Sequence, residues 1–229
     1  MSEDNEKEIL EAELSQKDIL EKKEETKFEK KKAFGEKIEG KFYGIEEHYS
    51  KEGNLVAHLP FKEGVLHGEA RRYDSSQQLK ENLRYQKGVR HGLAEFYKNG
   101  ALSLHTTFKE GKQHGETVLY DKAGMMRARI HYEDGKKKGT SIAYDSQGRV
   151  KSILHYHEGV LEGPSLTYYP SGTLLETGFY SQGKKEGEFR SFHENGHLNR
   201  IMVFDRGRLV RKPQLFDKDG NPIPAGLER

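Results

Sequence analysis

Cysteine and tryptophan are absent from the 229 residues, and there are only 6 prolines. Without cysteine there can be no disulfide, no thiol nucleophile and no thiolate metal site. Nowhere does an apolar run approach the roughly 18 residues that suggest a membrane-spanning helix. The opening MSEDNEKEIL has no basic stretch followed by an apolar one, so no secretory leader is read there and a soluble, cytoplasmic chain is expected. Apolar side chains make up only 33% of the chain and its mean hydropathy is -0.95. A thick globular core is excluded by that scarcity, and a thin, repetitive body fits better.

The chain does have 25 glycines and, among large apolar side chains, 12 Tyr and 11 Phe. Glycine with regularly placed aromatics indicates many turns joining short strands. The formal charge of +2 is unevenly spread: residues 1–36 carry 12 acidic and 8 basic side chains, leaving 25 of the 37 acidic and 31 of the 39 basic ones to the remainder. The two regions should attract one another weakly.

From Gly40 onward one pattern recurs: a glycine, a second glycine four residues on, an aromatic, a turn that usually ends in glycine, an aliphatic, then a closing aromatic. Two clear copies are YEDGKKKGTSIAYDSQGRVKSILHY and YHEGVLEGPSLTYYPSGTLLETGFY. The closing aromatics are Phe61, Tyr85, Phe108, Tyr132, Tyr156, Tyr180 and Phe204, a spacing of 24 residues and once 23. A decayed eighth unit keeps Gly207, Phe216 and Gly220, but Arg211 replaces its second glycine and Pro222 and Pro224 fall in what would be its second strand.

Apolar positions spaced by two, as at Val150, Ser152, Leu154 and Tyr156, predict strands. The turns DKAG, DSQG, PSG and HENG between them predict a β-hairpin per unit. Loops such as KEGKQHG are too short for a crossover helix, so the fold class is an all-β repeat: an elongated antiparallel meander of about seven to eight hairpins over residues 37–220. Setting Tyr144 against Val150 at the turn predicts Ile142 opposite Ser152 and, in the second unit, Arg71 opposite Glu81. Residues 1–36 are read as a charged helical or disordered arm and residues 221–229 as a tail.

This pattern resembles the bacterial variant of the MORN (membrane occupation and recognition nexus) repeat, found in proteins labelled as antitoxin components of toxin–antitoxin systems. The resemblance spans roughly residues 38–220. It implies a protein-binding scaffold, and, from some eukaryotic relatives, contact with membranes or phosphoinositides. A kinase label carried by some members is not matched here by any kinase glycine loop or metal-binding Asp in context.

No enzyme is read from the residues, and no cofactor. Of the 11 histidines, His67, His91 and His114 repeat one loop position, and His131 and His155 lie on strands too far apart to share a metal. Asp121 and Asp145 open turns, but one carboxylate per turn falls short of a calcium site. There is no GxxxxGK[ST] loop and no serine at a strand-to-helix elbow.

The candidate site is a sheet face. Strict alternation from the turn collects thirty positions opposite the aliphatic ladder with no acidic residue among them. From these come the candidate partner-binding residues Arg72, Arg84, His105, Arg127, Arg129, His131, Lys151, His155, Leu175 and Phe179. They imply a protein partner with an acidic surface; the alternative is a peripheral membrane or anionic-lipid adaptor. Nucleic acid is disfavoured, because the net charge is modest and the aromatics are placed mostly on the other face. The acidic arm, with Ile9, Leu10, Leu14, Ile19 and Leu20, is expected to shield this face.

Overall fold

In the computed structural model the described residues are 28–224. They form twenty strands and no helix. In order these are β1 (Lys30–Ile38), β2 (Lys41–Tyr49), β3 (Leu55–Lys62), β4 (Val65–Leu66), β5 (Gly68–Tyr73), β6 (Leu79–Gln86), β7 (Val89–Lys98), β8 (Ala101–Lys109), β9 (Lys112–Tyr120) and β10 (Met126–Glu133). There follow β11 (Lys136–Tyr144), β12 (Val150–His157), β13 (Val160–Leu161), β14 (Gly163–Tyr168), β15 (Leu174–Ser181), β16 (Lys184–Phe192), β17 (Leu198–Asp205), β18 (Arg208–Leu209), β19 (Gln214–Phe216) and β20 (Pro222–Ile223). Strands pair antiparallel with their neighbours in sequence, so the fold is the expected meander of tandem hairpins. The chain divides into two compact units, one reaching Met126 and including Tyr132–Gly135, the other made of Arg127–His131 and everything from Lys136.

The array is longer at both ends than its sequence pattern. Strand β1 begins inside the stretch assigned to the arm, so the helical or disordered arm cannot extend to residue 36; residues 1–27, with Ile9, Leu10, Leu14, Ile19 and Leu20, lie outside the described residues. At the other end Pro222 and Ile223, which the sequence pattern puts in the tail, pair with Phe216 and Leu215. Proline is tolerated there as the first residue of an outer strand, where its missing N–H leaves no ladder bond unmade.

Two kinds of turn alternate. The tight ones, at Glu63-Gly64, Lys87-Gly88, Glu110-Gly111, Asp134-Gly135, Glu158-Gly159, Gln182-Gly183 and Arg206-Gly207, have positive φ at both central residues. That is the geometry whose twist matches the flanking strands. Several of the wider turns are held by an acidic first residue: Asp145 accepts from the N–H groups of Gln147 and Arg149 at 2.8 and 3.0 Å and pairs with the Arg149 guanidinium. The guanidinium hydrogen bond, with those backbone N–H groups behind it, lowers the Asp145 pKa to about 2. Turn chemistry thus accounts for this aspartate.

Inside each unit the second glycine of the repeat stands opposite the closing aromatic: Gly44 faces Phe61, Gly68 faces Tyr85, Gly92 faces Phe108, Gly139 faces Tyr156, Gly163 faces Tyr180 and Gly187 faces Phe204. All six glycines have positive φ, which an L side chain rarely adopts. On the same face lie the small first-strand residues Ala70, Ala94, Thr117, Ser141 and Ser165, all buried, with Leu83, Leu104 and Leu154 beside them. We call this the packed face. Cations lie over several of its rings, with Arg90 5.3 Å from the Phe108 centroid and Lys137 4.5 Å from that of Tyr156.

Near the C-terminal end the small position passes to the second strand. Phe189 is wholly buried, edge-on to Tyr180 and Phe204, and it fits because residue 178 is glycine. A Cβ on Gly178 would come within 2.2 Å of the Phe189 ring. Gly178→Ala should therefore cost about 1–3 kcal/mol in urea melts. Adding Phe189→Leu should recover part of that loss; a variant as stable as the parent would show that the ring has room to move.

Lys137 gives a pH test. Burial lowers its pKa from 10.5 to about 8. Between those values the unfolded chain holds a proton that the folded chain has released, so this group makes stability rise with pH across that window. Urea midpoints taken from about pH 7.5 to about pH 10 should show a smaller rise in Lys137→Met.

Candidate functional site

The hairpins depart from strict alternation at one point. Tyr144 does face Val150, but Ala143 faces Ser152 and Ile142 faces Ile153, so Lys151 is an extra residue. The same bulge recurs elsewhere: Arg72 faces Glu81 while Tyr73 faces Leu79, and Arg71 faces Asn82. Val56, Lys80, Ser103, Leu175 and Asn199 are the equivalent extra residues. The predicted pairs Ile142 with Ser152 and Arg71 with Glu81 are each displaced by one. Because side chains alternate with a period of two, that slip sends the second strand of every such unit to the opposite face.

The thirty-residue face is consequently not one face. Its first-strand members, Arg72 among them, belong to the packed face, where Arg72 lies 3.8 Å from Glu81. The other candidate residues belong to the outer face, which they share with first-strand residues that strict alternation puts behind them. In the first unit several of these newcomers are acidic, Glu47, Glu69 and Glu95 among them. The outer row runs Glu47, His58, Arg71, Asn82, Glu95, His105 and Val118, each directly opposite the next. Asn82 donates to Glu69 at 2.8 Å and to Glu95 at 3.0 Å, and Arg71 pairs with Glu69 at 2.9 Å. The Asn82 hydrogen bond is the main cause of the lowered Glu69 pKa. Arg84 stands opposite Glu69, and His105 lies opposite Glu95 with the Tyr120 hydroxyl 3.3 Å from its Nδ1. The first unit's outer face is a self-paired polar ladder, without the acid-free character expected of it.

The second unit differs. Its outer row is Ile142, Ile153, Leu166 and Thr177, reaching Arg190 only on β16. Beside that row stand His155, opposite Thr140, and Phe179, opposite Pro164. His155 donates through Nδ1 to the Pro164 carbonyl at 2.8 Å, and Phe179 is 45% exposed. Along β10, Ala128 and Ile130 are buried, so Arg127, Arg129 and His131 alternate to the outer side. Lys151 and Leu175 enter at the bulges. Glu133, which ends β10, belongs to the first unit. Along the row itself no acidic residue occurs, but two stand at its edge: Glu162, whose N–H donates to the His155 carbonyl and whose carboxylate accepts from Ser181 and the Gln182 N–H, and Glu186, opposite Phe179; Glu188 on β16 is held by Arg190 at 3.1 Å. Seven of the ten candidates thus share one basic and apolar surface: Arg127, Arg129, His131, Lys151, His155, Leu175 and Phe179.

A signal for the true faces is present in the sequence. In the first strands Glu69, Arg71, Glu95, Glu188 and Arg190 alternate with Ala70, Ala94 and Phe189, and charge marks the wet side. The turn aromatics also depart from expectation. Tyr49 lies under Lys32 and Tyr120 beside His105, both on the outer face, so the aromatics are divided between the faces.

Among the described residues no cluster of His, Asp and Glu could hold a metal ion, and no helix is long and apolar enough to cross a membrane. The fold and this surface define a tandem β-hairpin repeat protein. Residues 161–182 and 185–205 match the family model described as MORN repeat variant, so this stretch of the second unit has the MORN-variant repeat pattern. No curated protein matches the chain. Among solved structures, a point mutant of S. aureus TarM in complex with fondaparinux, alpha-GlcNAc-glycerol and UDP aligns at 13% identity and a TM-score of 0.25, over 52% of this chain and 19% of that one. A second TarM crystal structure aligns at 11% and 0.20, over 78% and 23%. The TcdB2-TccC3-Cdc42 structure aligns at 12% and 0.23, over 79% and 12%. The chain spans less than a quarter of the length of each.

The polar ladder makes a testable claim. Asn82→Asp would set a third carboxylate between Glu69 and Glu95, so the variant should lose stability at about pH 7 and regain it as pH falls toward about 4. Urea midpoints at the two pH values measure this, and an unchanged difference from the parent would remove Asn82 as the bridge.

Proposed function

We propose that the protein is a non-enzymatic interaction module that grips a protein partner by the outer face of its second unit, between β10 and β15. The observation that carries this reading is the combination of a cross-strand aliphatic row with cations beside it and no carboxylate in the row, the nearest ones, Glu162 and Glu186, already accepting hydrogen bonds from Ser181 and from the Gln182 and Arg206 backbone N–H groups. A face that only needed to stay wet would mix both signs, as the first unit's does. The partner that fits has apolar side chains flanked by acidic ones, since desolvated cations need opposite charge and the isoleucines need apolar cover. The repeats' resemblance to those of proteins labelled antitoxins makes a toxin the first partner class to test.

Exposed Phe179 together with Arg127, Arg129 and Lys151 also favours a second reading, docking on anionic lipid. Flotation with vesicles rich in phosphatidylserine separates the two. For the protein-binding reading, proteins captured by the parent chain and by the turn variant Lys122→Glu should be lost from Arg129→Glu/Lys151→Glu and from Ile153→Asp. Any purified partner should bind these two variants at least about tenfold more weakly. Equal capture by all four chains would overturn the assignment of the face, and flotation of the parent chain alone would favour lipid.

A further inference from the structure

The two ends of the strand array are finished differently. At the C-terminal end β19 has three residues and β20 two, and Pro222 stands in the outer strand. Short strands and proline are the devices by which a sheet edge is closed to further pairing. At the N-terminal end β1 has nine residues, all exposed, and pairs with β2 in nine consecutive steps without a bulge. No proline interrupts it, and Phe34 is 53% exposed on its outer face. The carbonyl oxygens of Phe34 and Tyr43 project across the hairpin, near enough that a Cβ on Gly44 or Gly35 would meet them at 2.2 and 2.1 Å. Backbone groups alternate along a strand, so those of Lys31, Ala33, Gly35 and Lys37 point to the edge that no other described strand covers.

We infer that β1 is a dimerisation edge, pairing antiparallel with β1 of a second copy about a two-fold axis at Phe34. The charge pattern of KKKAFGEKI selects that occupant. With Phe34 opposite its own symmetry mate, Lys32 falls opposite Glu36 of the other copy, and the symmetry makes this ion pair twice. Ala33 and Gly35 then exchange backbone hydrogen bonds across the axis, while Phe34 and the Lys32–Glu36 pairs occupy the non-hydrogen-bonded positions where cross-strand side chains are closest. Lys31 would face Lys37 on the other side of the sheet, but Lys31 is already neutralised by Glu46 at 2.6 Å. Only Ala33 and Gly35 line the centre of that side, so two backbones meet there without a clash.

The chain's lack of cysteine makes the test direct. Full-length protein in sedimentation velocity should run at twice 26.3 kDa. Lys32→Glu and Glu36→Lys should each raise the dimer dissociation constant about tenfold, since each sets two like-charge pairs across the axis. The double exchange Lys32→Glu/Glu36→Lys should restore it. Phe34→Cys should form a disulfide-linked dimer under mild oxidation much faster than Leu93→Cys, a similarly exposed residue of β7. These side chains are exposed, but Lys32 also lies over the Tyr49 ring and opposite Glu47, so a urea midpoint is taken for each variant to separate lost folding from lost pairing. A monomer throughout, as when the edge is covered by residues 1–27 of the same chain, or no rescue by the double exchange, would overturn the inference.

Discussion

Six times in the described sheet a glycine at positive φ stands across a hairpin from an aromatic ring, and the rest of the packed face is arranged around that contact. A ring laid over a strand needs a partner without a side chain, and glycine supplies both the space and the unusual backbone angle. The buried alanines, serines and threonines two residues further along continue the shallow channel so formed. Gly178 and Phe189 show the same requirement with the roles of the strands exchanged. A chain with few aliphatic side chains can in this way bury enough surface to fold, because each hairpin shares its rings with the next.

The bulge is the second constraint, and it governs which residues each face of the sheet presents. One extra residue in the second strand reverses that strand's faces relative to the first. It places Lys151 on the outer side beside Ile142 and Ile153 and Leu175 beside Leu166 and Thr177, and it brings Glu69 and Glu95 up beside Asn82 and His105. The same scaffold therefore carries an internally hydrogen-bonded polar ladder in one unit and an apolar row in the other. A partner gains nothing by displacing Asn82 from two carboxylates, whereas covering Ile153 and Phe179 releases water from apolar surface.

Repetition also leaves ends, and each end of an antiparallel array is a strand with unused hydrogen-bonding groups. Pro222 and the shortness of β20 deal with one; β1 has neither device. Its lysines are of the kind that blunt an ordinary edge, yet the spacing of Lys32 and Glu36 about Phe34 makes this edge self-complementary. Whether charge blunts or directs an edge depends on register, and here the register is symmetric.

The sequence by itself determined the repeat length, the hairpin in each unit, the glycine turns and the recurrence of the closing aromatics. All of these follow from residues close together in the chain, whose turn chemistry and side-chain size act locally. It also grouped Arg127, Arg129, His131, Lys151, His155, Leu175 and Phe179 on one side, because second strands alternate among themselves whatever the first strands do. The tertiary structure decided which residues stand beside them, since a one-residue bulge reverses every facing relation beyond it and leaves its only trace in the sequence in the charge alternation of the first strands. The strand β1 was likewise invisible, because Lys30–Ile38 lacks the closing aromatic and, among the described residues, is held in the sheet by pairing with β2. Local chemistry wrote the hairpins, and the hydrogen-bonded register between strands assigned their faces.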